Sequence, residues 1–139
     1  MKKVMIKIKG TQGLGEDVSE VEFLGEGTLK KSGEAYIVTY CDSAAAGGAP
    51  VKTVLTANGN DSVVLERTGA ISSRLLIEKG VRNNCFYSVP EGNLTLGIYG
   101  KAIENRLNEW GGEIKMIYTL DANMRLISEN TVEISVQRR

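Results

Sequence analysis

Apolar and polar side chains alternate almost one by one along this chain. Val4, Ile6 and Ile8 fall on one face, with Lys7 and Lys9 opposite. Val21, Phe23, Gly25, Gly27 and Leu29 alternate with Glu20, Glu22, Leu24, Glu26 and Thr28. Ile114, Met116, Tyr118 and Leu120 alternate with Glu113, Lys115, Ile117 and Thr119. Leu126, Ser128, Asn130, Val132, Ile134 and Val136 repeat the pattern near the C-terminus. A period of two over such lengths predicts strands with one buried and one wetter face.

Turn signals separate these runs. Asn58-Gly59-Asn60-Asp61 predicts a tight hairpin between residues 51–57 and 62–68. Lys31-Ser32-Gly33-Glu34, Glu91-Gly92-Asn93, Gly111-Gly112 and Asp121-Ala122-Asn123 punctuate the rest. The sum is about ten strands with short connections, as in an antiparallel sandwich or barrel. Parallel crossovers need a dozen or more residues between strands, and there is no room for them. Gly25, Gly27, Gly97 and Gly100 lie inside strand patterns, where glycine fits a sheet that kinks and coils toward closure. Residues 101–110 carry two patterns. Ile103, Leu107 and Trp110 have helical spacing, but a helix so short needs strong tertiary support, so a strand continuing through a bend at Gly100 is expected. The widest connection, Asp42–Pro50, is small and flexible in composition. It reads as a plain connector or as a flap over a barrel mouth.

Composition changes this picture in three ways. The 139 residues are the size of one domain, 1–139, large enough for a core without disulfides or metal. Seventeen Lys and Arg balance seventeen Asp and Glu, and basic residues never run beyond pairs, which argues against nucleic acid as a partner. Histidine is absent, which removes Ser-His-Asp and Cys-His nucleophile systems and the common zinc sites. The N-terminal apolar run is broken by Lys7 and Lys9, so it reads as a strand and not as a signal core. No apolar stretch approaches the ~20 residues a membrane helix needs. Cytoplasm, with Cys41 and Cys85 reduced, is the resulting expectation.

The order of features resembles the YwiB-like family, a bacterial group of unknown function. Glu26-Gly27, Tyr36-Ile37-Val38-Thr39-Tyr40-Cys41-Asp42 and Thr53-Val54-Leu55 carry the first part of the likeness. Residues 63–69 (Val-Val-Leu-Glu-Arg-Thr-Gly), 75–80 (Leu-Leu-Ile-Glu-Lys-Gly), 92–96 (Gly-Asn-Leu-Thr-Leu) and 112–120 (Gly-Glu-Ile-Lys-Met-Ile-Tyr-Thr-Leu) extend it. It runs from Val4 to Val136, and its specificity lies in order and spacing. Asp42 stands where the family tends to have Glu, and Tyr87-Ser88-Val89-Pro90-Glu91-Gly92 departs from its Tyr-x-Thr-x-x-Gly step. The resemblance implies an all-β, antiparallel, calycin-like (lipocalin-style) barrel of about eight to ten strands. It implies nothing firm about function, since a fold does not carry chemistry with it.

Within such a barrel, Arg67 is the sharpest candidate. It shares a face with Val63 and Leu65, where a guanidinium must be paired or wet. It is either an anion anchor at the barrel mouth or half of an ion pair with Asp42, Glu66 or another strand carboxylate. Tyr36, Tyr40 and Tyr118 are the other expected pocket residues, the alternation pointing Tyr118 inward; Tyr87 and Tyr99 are not placed by it. Core packing is the plainer role for all five tyrosines. Trp110 is expected to cap one barrel end, and both cysteines to be buried small hydrophobes. Gly10-Thr11-Gln12-Gly13-Leu14-Gly15 lacks the spacing of a phosphate loop and reads as a hairpin loop. Glu16, Glu20, Glu22 and Glu26 read as a solvated face, so neither metal nor cofactor is expected.

Three functions follow in order. The first is a module binding a small apolar or anionic ligand in or at the mouth of the barrel. The second is an interaction protein, such as a homodimer using the Glu113, Lys115, Ile117, Thr119 face. An enzyme comes last, since no catalytic residues converge in the sequence.

Overall fold

The computed structural model describes residues 2–42, 50–69, 72–89 and 92–138. Ten strands follow one another: β1 (Lys2–Leu14), β2 (Asp17–Ser32), β3 (Ala35–Asp42), β4 (Val51–Asn58), β5 (Ser62–Gly69), β6 (Ser72–Glu78), β7 (Arg82–Val89), β8 (Gly92–Asn105), β9 (Gly111–Ala122) and β10 (Arg125–Arg138). Each pairs antiparallel with the next, and β1 pairs with β10, so the sheet closes on itself. Closure removes the free edges that an open ten-strand sheet would expose. Among the described residues no helix is long and apolar enough to cross a membrane.

The alternating residues meet inside. Val4 and Ile6, Val38, Leu55 and Ala57, Val63, Leu75 and Ile77, Ile98, Ile114 and Met116, Ile134 and Val136 are all buried in one continuous core. Ladder register sorts them into layers. Leu29, Val38, Leu55, Leu65 and Leu75 stand directly opposite one another from β2 to β6. Gly27 occupies an inward position where an added Cβ would strike Ile6 and the Thr39 carbonyl, so the absent side chain lets neighbouring strands close up.

The two ends differ. At the end where β4 turns into β5, backbone bonds sew the rim: Lys79 N donates to Asp61 O at 3.0 Å, and Arg106 N donates to Glu113 O at 2.8 Å. Asn105 clamps the β4–β5 turn, its backbone N–H donating to Asn60 Oδ1 and its side-chain amide to Gly59 O, both at 2.8 Å. Leu107, nearly buried, plugs this end. Trp110 does not cap the core as expected. It is 62% exposed, with Lys2 Nζ at 4.4 Å and Arg138 Cζ at 4.9 Å from its ring centre. The turn at 109–110 stands outside the barrel, where two cations cover the ring instead of the core.

Several boundaries shift from their sequence positions. Residues 101–105 continue β8 as a strand, through a bulge between Gly100 and Ala102, but 106–110 form an irregular connection and not a strand. Gly10–Leu14 belongs to β1, paired with β10 for most of that stretch, and only Gly15-Glu16 make the turn. Gly111-Gly112 open β9. A bulge between Leu126 and Ser128 turns Leu126 out, leaving it and Ile127 exposed. The flap expected within Asp42–Pro50 falls on 43–49, which lie outside the described residues, as do 90–91 of the turn expected at Glu91-Gly92-Asn93.

Candidate functional site

Above the leucine layer, toward the end where β5 gives way to β6, the inward positions become polar. Tyr40 stands opposite Thr53, Thr53 opposite Arg67, and Arg67 opposite Ser73, a row across four adjacent strands. On the far wall Tyr118 of β9 stands opposite Asn130 of β10, and Asn130 Nδ2 donates to Ser128 Oγ at 3.2 Å. Thr53, Ser73, Tyr118, Ser128 and Asn130 are all buried. The Phe23 ring packs 5.2 Å from that of Tyr40, steadying it on the opposite side.

Tyr40, Arg67, Tyr118 and Asn130 of this belt border a chamber of about 140 Å³. Its apolar lining includes Ile8, Leu65, Met116 and Ile134, and Tyr40, Tyr118, Asn130 and Arg67 are among its polar members, with Thr11 and Gln12. Arg67 is the one charged residue among the described residues lining it. A second space opens on the other side of Arg67. It is a wider recess of about 600 Å³ over β6, β7 and β8, lined by Ser73, Arg74, Phe86, Ser88 and Thr95.

Two polar groups here lack partners. Among the described residues no ion pair or hydrogen bond engages Arg67: Glu66 lies on the outer face opposite Arg74, and the four ion pairs seen are Lys31–Glu109, Arg82–Asp121, Lys101–Glu129 and Lys115–Glu133; the side chain of Asp42, the other partner expected for it, lies outside the described residues. Ser73 Oγ is buried with no hydrogen-bond partner. A buried hydroxyl left unsatisfied costs about 1–3 kcal/mol.

Three of the four expected site residues therefore meet: Arg67, Tyr40 and Tyr118 line one chamber. Tyr36 does not join them. It sits two side-chain alternations away from Tyr40 along β3, opposite Ala57, at the sewn end of the barrel. There it faces Lys31, whose Nζ is 6.0 Å from its ring centre, and shares a basin of about 310 Å³ with Lys2, Lys30 and Glu109. Tyr99 is partly exposed, and the Tyr87 side chain lies outside the described residues. Cys85 is buried as expected, and burial raises its pKa, so its thiol stays protonated. Cys41 is exposed instead, because it sits on the outward parity of β3. The Glu113, Lys115, Ile117, Thr119 face carries the Lys115–Glu133 pair, at 3.6 Å. No cluster of three Cys, Asp or Glu side chains suited to a metal ion occurs among the described residues.

Thr53, Ser73 and Asn130 carry no signal in the sequence, and neither does one ion pair. Arg82 of β7 reaches across Gly97 of β8 to Asp121 of β9, Nε donating to Oδ2 at 2.9 Å and Nη2 to Oδ1 at 2.6 Å. A Cβ at position 97 would overlap the guanidinium, so glycine leaves the passage for it. Hydrogen bonding to Arg82 holds the Asp121 carboxyl below its ordinary range, and raises Arg82 in turn. Asp121 Oδ1 also accepts from Met124 N at 3.2 Å, tying the strap to the β9–β10 turn.

Comparison with known proteins agrees with this architecture. Residues 6–134 match the family described as Domain of unknown function (DUF1934). The fold is similar to that in the crystal structure of the ywiB protein from Bacillus subtilis, with a TM-score of 0.80 and 20% sequence identity, over 96% of this chain and 91% of that one. At that identity the likeness speaks for the fold alone. No curated protein matches the sequence.

Proposed function

We propose that this chain, which belongs to the DUF1934 family of domains of unknown function, binds a small organic anion at the open end of its barrel. The observation that carries the reading is Arg67: a guanidinium on the inward face of an apolar chamber, with no partner among the described residues. Such a half-buried group favours an anion, which a guanidinium can hold in bidentate fashion. Leu65, Met116 and Ile134 would hold the ligand's apolar body, and Tyr40, Tyr118 and Asn130 would orient it. A chamber near 140 Å³ suits one ring or a short branched chain, since apolar cavities of about 150 Å³ accept benzene. A single charge lining the chamber fits binding better than acid–base chemistry, which needs two converging titratable groups. In this reading the protein works in the cytoplasm without a cofactor.

Thermal denaturation with benzoate and with neutral benzyl alcohol tests the reading. Benzoate at a hundred times its Kd should stabilise the fold by about 2.7 kcal/mol, seen as a rise of several degrees in Tm. Benzyl alcohol should do less, and Arg67→Gln should erase the difference between the two. Equal shifts in wild type and R67Q would remove Arg67 from the account.

A further inference from the structure

At the sewn end the inward parity of four strands runs out into charge. One inward step beyond the last core layer, Lys2 stands outside Val4 on β1, Lys31 outside Leu29 on β2, Tyr36 outside Val38 on β3 and Arg138 outside Val136 on β10. Lys2, Lys30, Lys31 and Tyr36 ring the basin over Leu29, with Glu109 at its edge. Trp110 projects beside them and is exposed, with Lys2 and Arg138 against its ring. Four cations thus gather around one exposed indole. The carboxylates beside them are Glu109, paired to Lys31, and Glu34 of the β2–β3 turn. We propose that this end of the barrel docks on an anionic membrane surface, Trp110 entering the headgroup layer and Lys2, Lys30, Lys31 and Arg138 meeting lipid phosphates.

The net charge of zero conceals a separation of charge. The β1–β2 hairpin carries Glu16, Asp17, Glu20 and Glu22, all exposed, toward its turn, and Lys2, Lys30 and Lys31 at its other end. At about 3.3 Å per residue the two groups stand roughly 20–40 Å apart along the strands, beyond the Debye length of about 8 Å at physiological salt. The acidic end therefore does not cancel the field at the basic one. An indole among cations is the composition of a membrane-interface anchor: the amphipathic ring sits at headgroup level, and each Lys or Arg adds attraction to anionic lipid. Shape disfavours the other polyanion, single-stranded nucleic acid. A base needs an open aromatic face and a groove that tracks its backbone. Here Lys2 and Arg138 already cover the Trp110 ring, and the 109–110 turn stands outside the barrel.

Trp110 is the single tryptophan of the chain, so its fluorescence reports docking directly. With vesicles of phosphatidylcholine and phosphatidylserine in equal parts, its emission should show a saturable blue shift; vesicles of phosphatidylcholine alone should give none. Salt at about 1 M should abolish the shift, because screening then acts within about 3 Å. K30Q/K31Q should weaken binding about 25-fold, at about fivefold per cation. W110A, read by co-sedimentation with the same vesicles, should weaken it severalfold, and the exposed position of the ring leaves the fold intact. Unchanged emission with the mixed vesicles, an equal shift with the neutral ones, or full binding by K30Q/K31Q would overturn the proposal. So would a response to single-stranded oligothymidylate in place of vesicles, which would assign the patch to nucleic acid. A blue shift that grows with protein concentration alone would overturn it too, assigning the patch to the acidic hairpin tip of a second copy.

Discussion

Ser73 shows why single residues in this barrel serve something other than stability. Its hydroxyl is buried and unsatisfied, one inward step above the Leu65–Leu75 pair. Replacing it with alanine removes the desolvation cost and keeps the small volume. S73A should therefore raise stability by about 1 kcal/mol, or roughly 3 °C in Tm, measured by thermal or urea denaturation. A gain in stability on removing a polar group is the mark of a residue held for something other than folding. Part of this was legible in the sequence. Arg67 on the Val63–Leu65 face stood out because a charge broke an apolar face. Ser73, Thr53 and Asn130 did not, because a polar residue in an alternating strand reads as its wet side until the register is known. Tyr36 and Tyr40 share a face of β3, but four residues of strand separate them by roughly 13 Å, and this puts them at different ends of the molecule.

At the level of elements, hairpin turns and cross-strand straps set the shape. The β9–β10 turn places Asn123 at φ 52° and Met124 at φ 68°, the two left-handed residues of a tight hairpin. Asparagine tolerates this; methionine does so at a cost, and its side chain is 75% exposed with no packing to offset it. Met124→Gly should raise stability by roughly 0.5–1 kcal/mol in chemical denaturation. The Arg82–Asp121 strap predicts a pH dependence. Asp121 is held below the ordinary carboxylate range, so its contribution is present above the unfolded value of about 3.9 and is lost as pH falls through the folded value. The Tm difference between wild type and D121N should be widest near neutrality and close toward pH 3. A constant difference would assign Asp121 a packing role only. The strap joins residues 39 apart in sequence, across a glycine that looked like a kink, and no local pattern could reveal it. The β6–β7 ladder has only three paired positions, Ser72–Ser88 to Arg74–Phe86, and Asn83 bridges the gap beyond it by donating to Glu78 Oε1 at 3.0 Å. Local pairing of this kind is decided by neighbours and cannot be read from either strand alone.

On the scale of the whole molecule, alternation over ten segments was enough to foresee an antiparallel barrel, because only a closed ribbon buries one face of so many strands without exposed edges. What alternation could not foresee is that the two ends would differ. One is sewn by Asn105 and plugged by Leu107; the other turns polar and keeps a chamber beside Arg67. Trp110 was misjudged for the same reason: its size argued for burial, but the sewn end had already been filled by a smaller side chain. The central claim is that this chamber takes up a ligand held by Arg67. The chain has four methionines; among the described residues Met116 is the one that lines the chamber, fully buried, while Met124 is exposed on the β9–β10 turn. The most direct measurement is methyl NMR of methionine-labelled protein titrated with benzoate. The account predicts a saturable shift of the Met116 methyl in wild type, a still Met124 methyl, and no shift in R67Q at the same ligand concentration; a Met116 methyl that stays fixed at saturating benzoate, or that moves equally in R67Q, would contradict it.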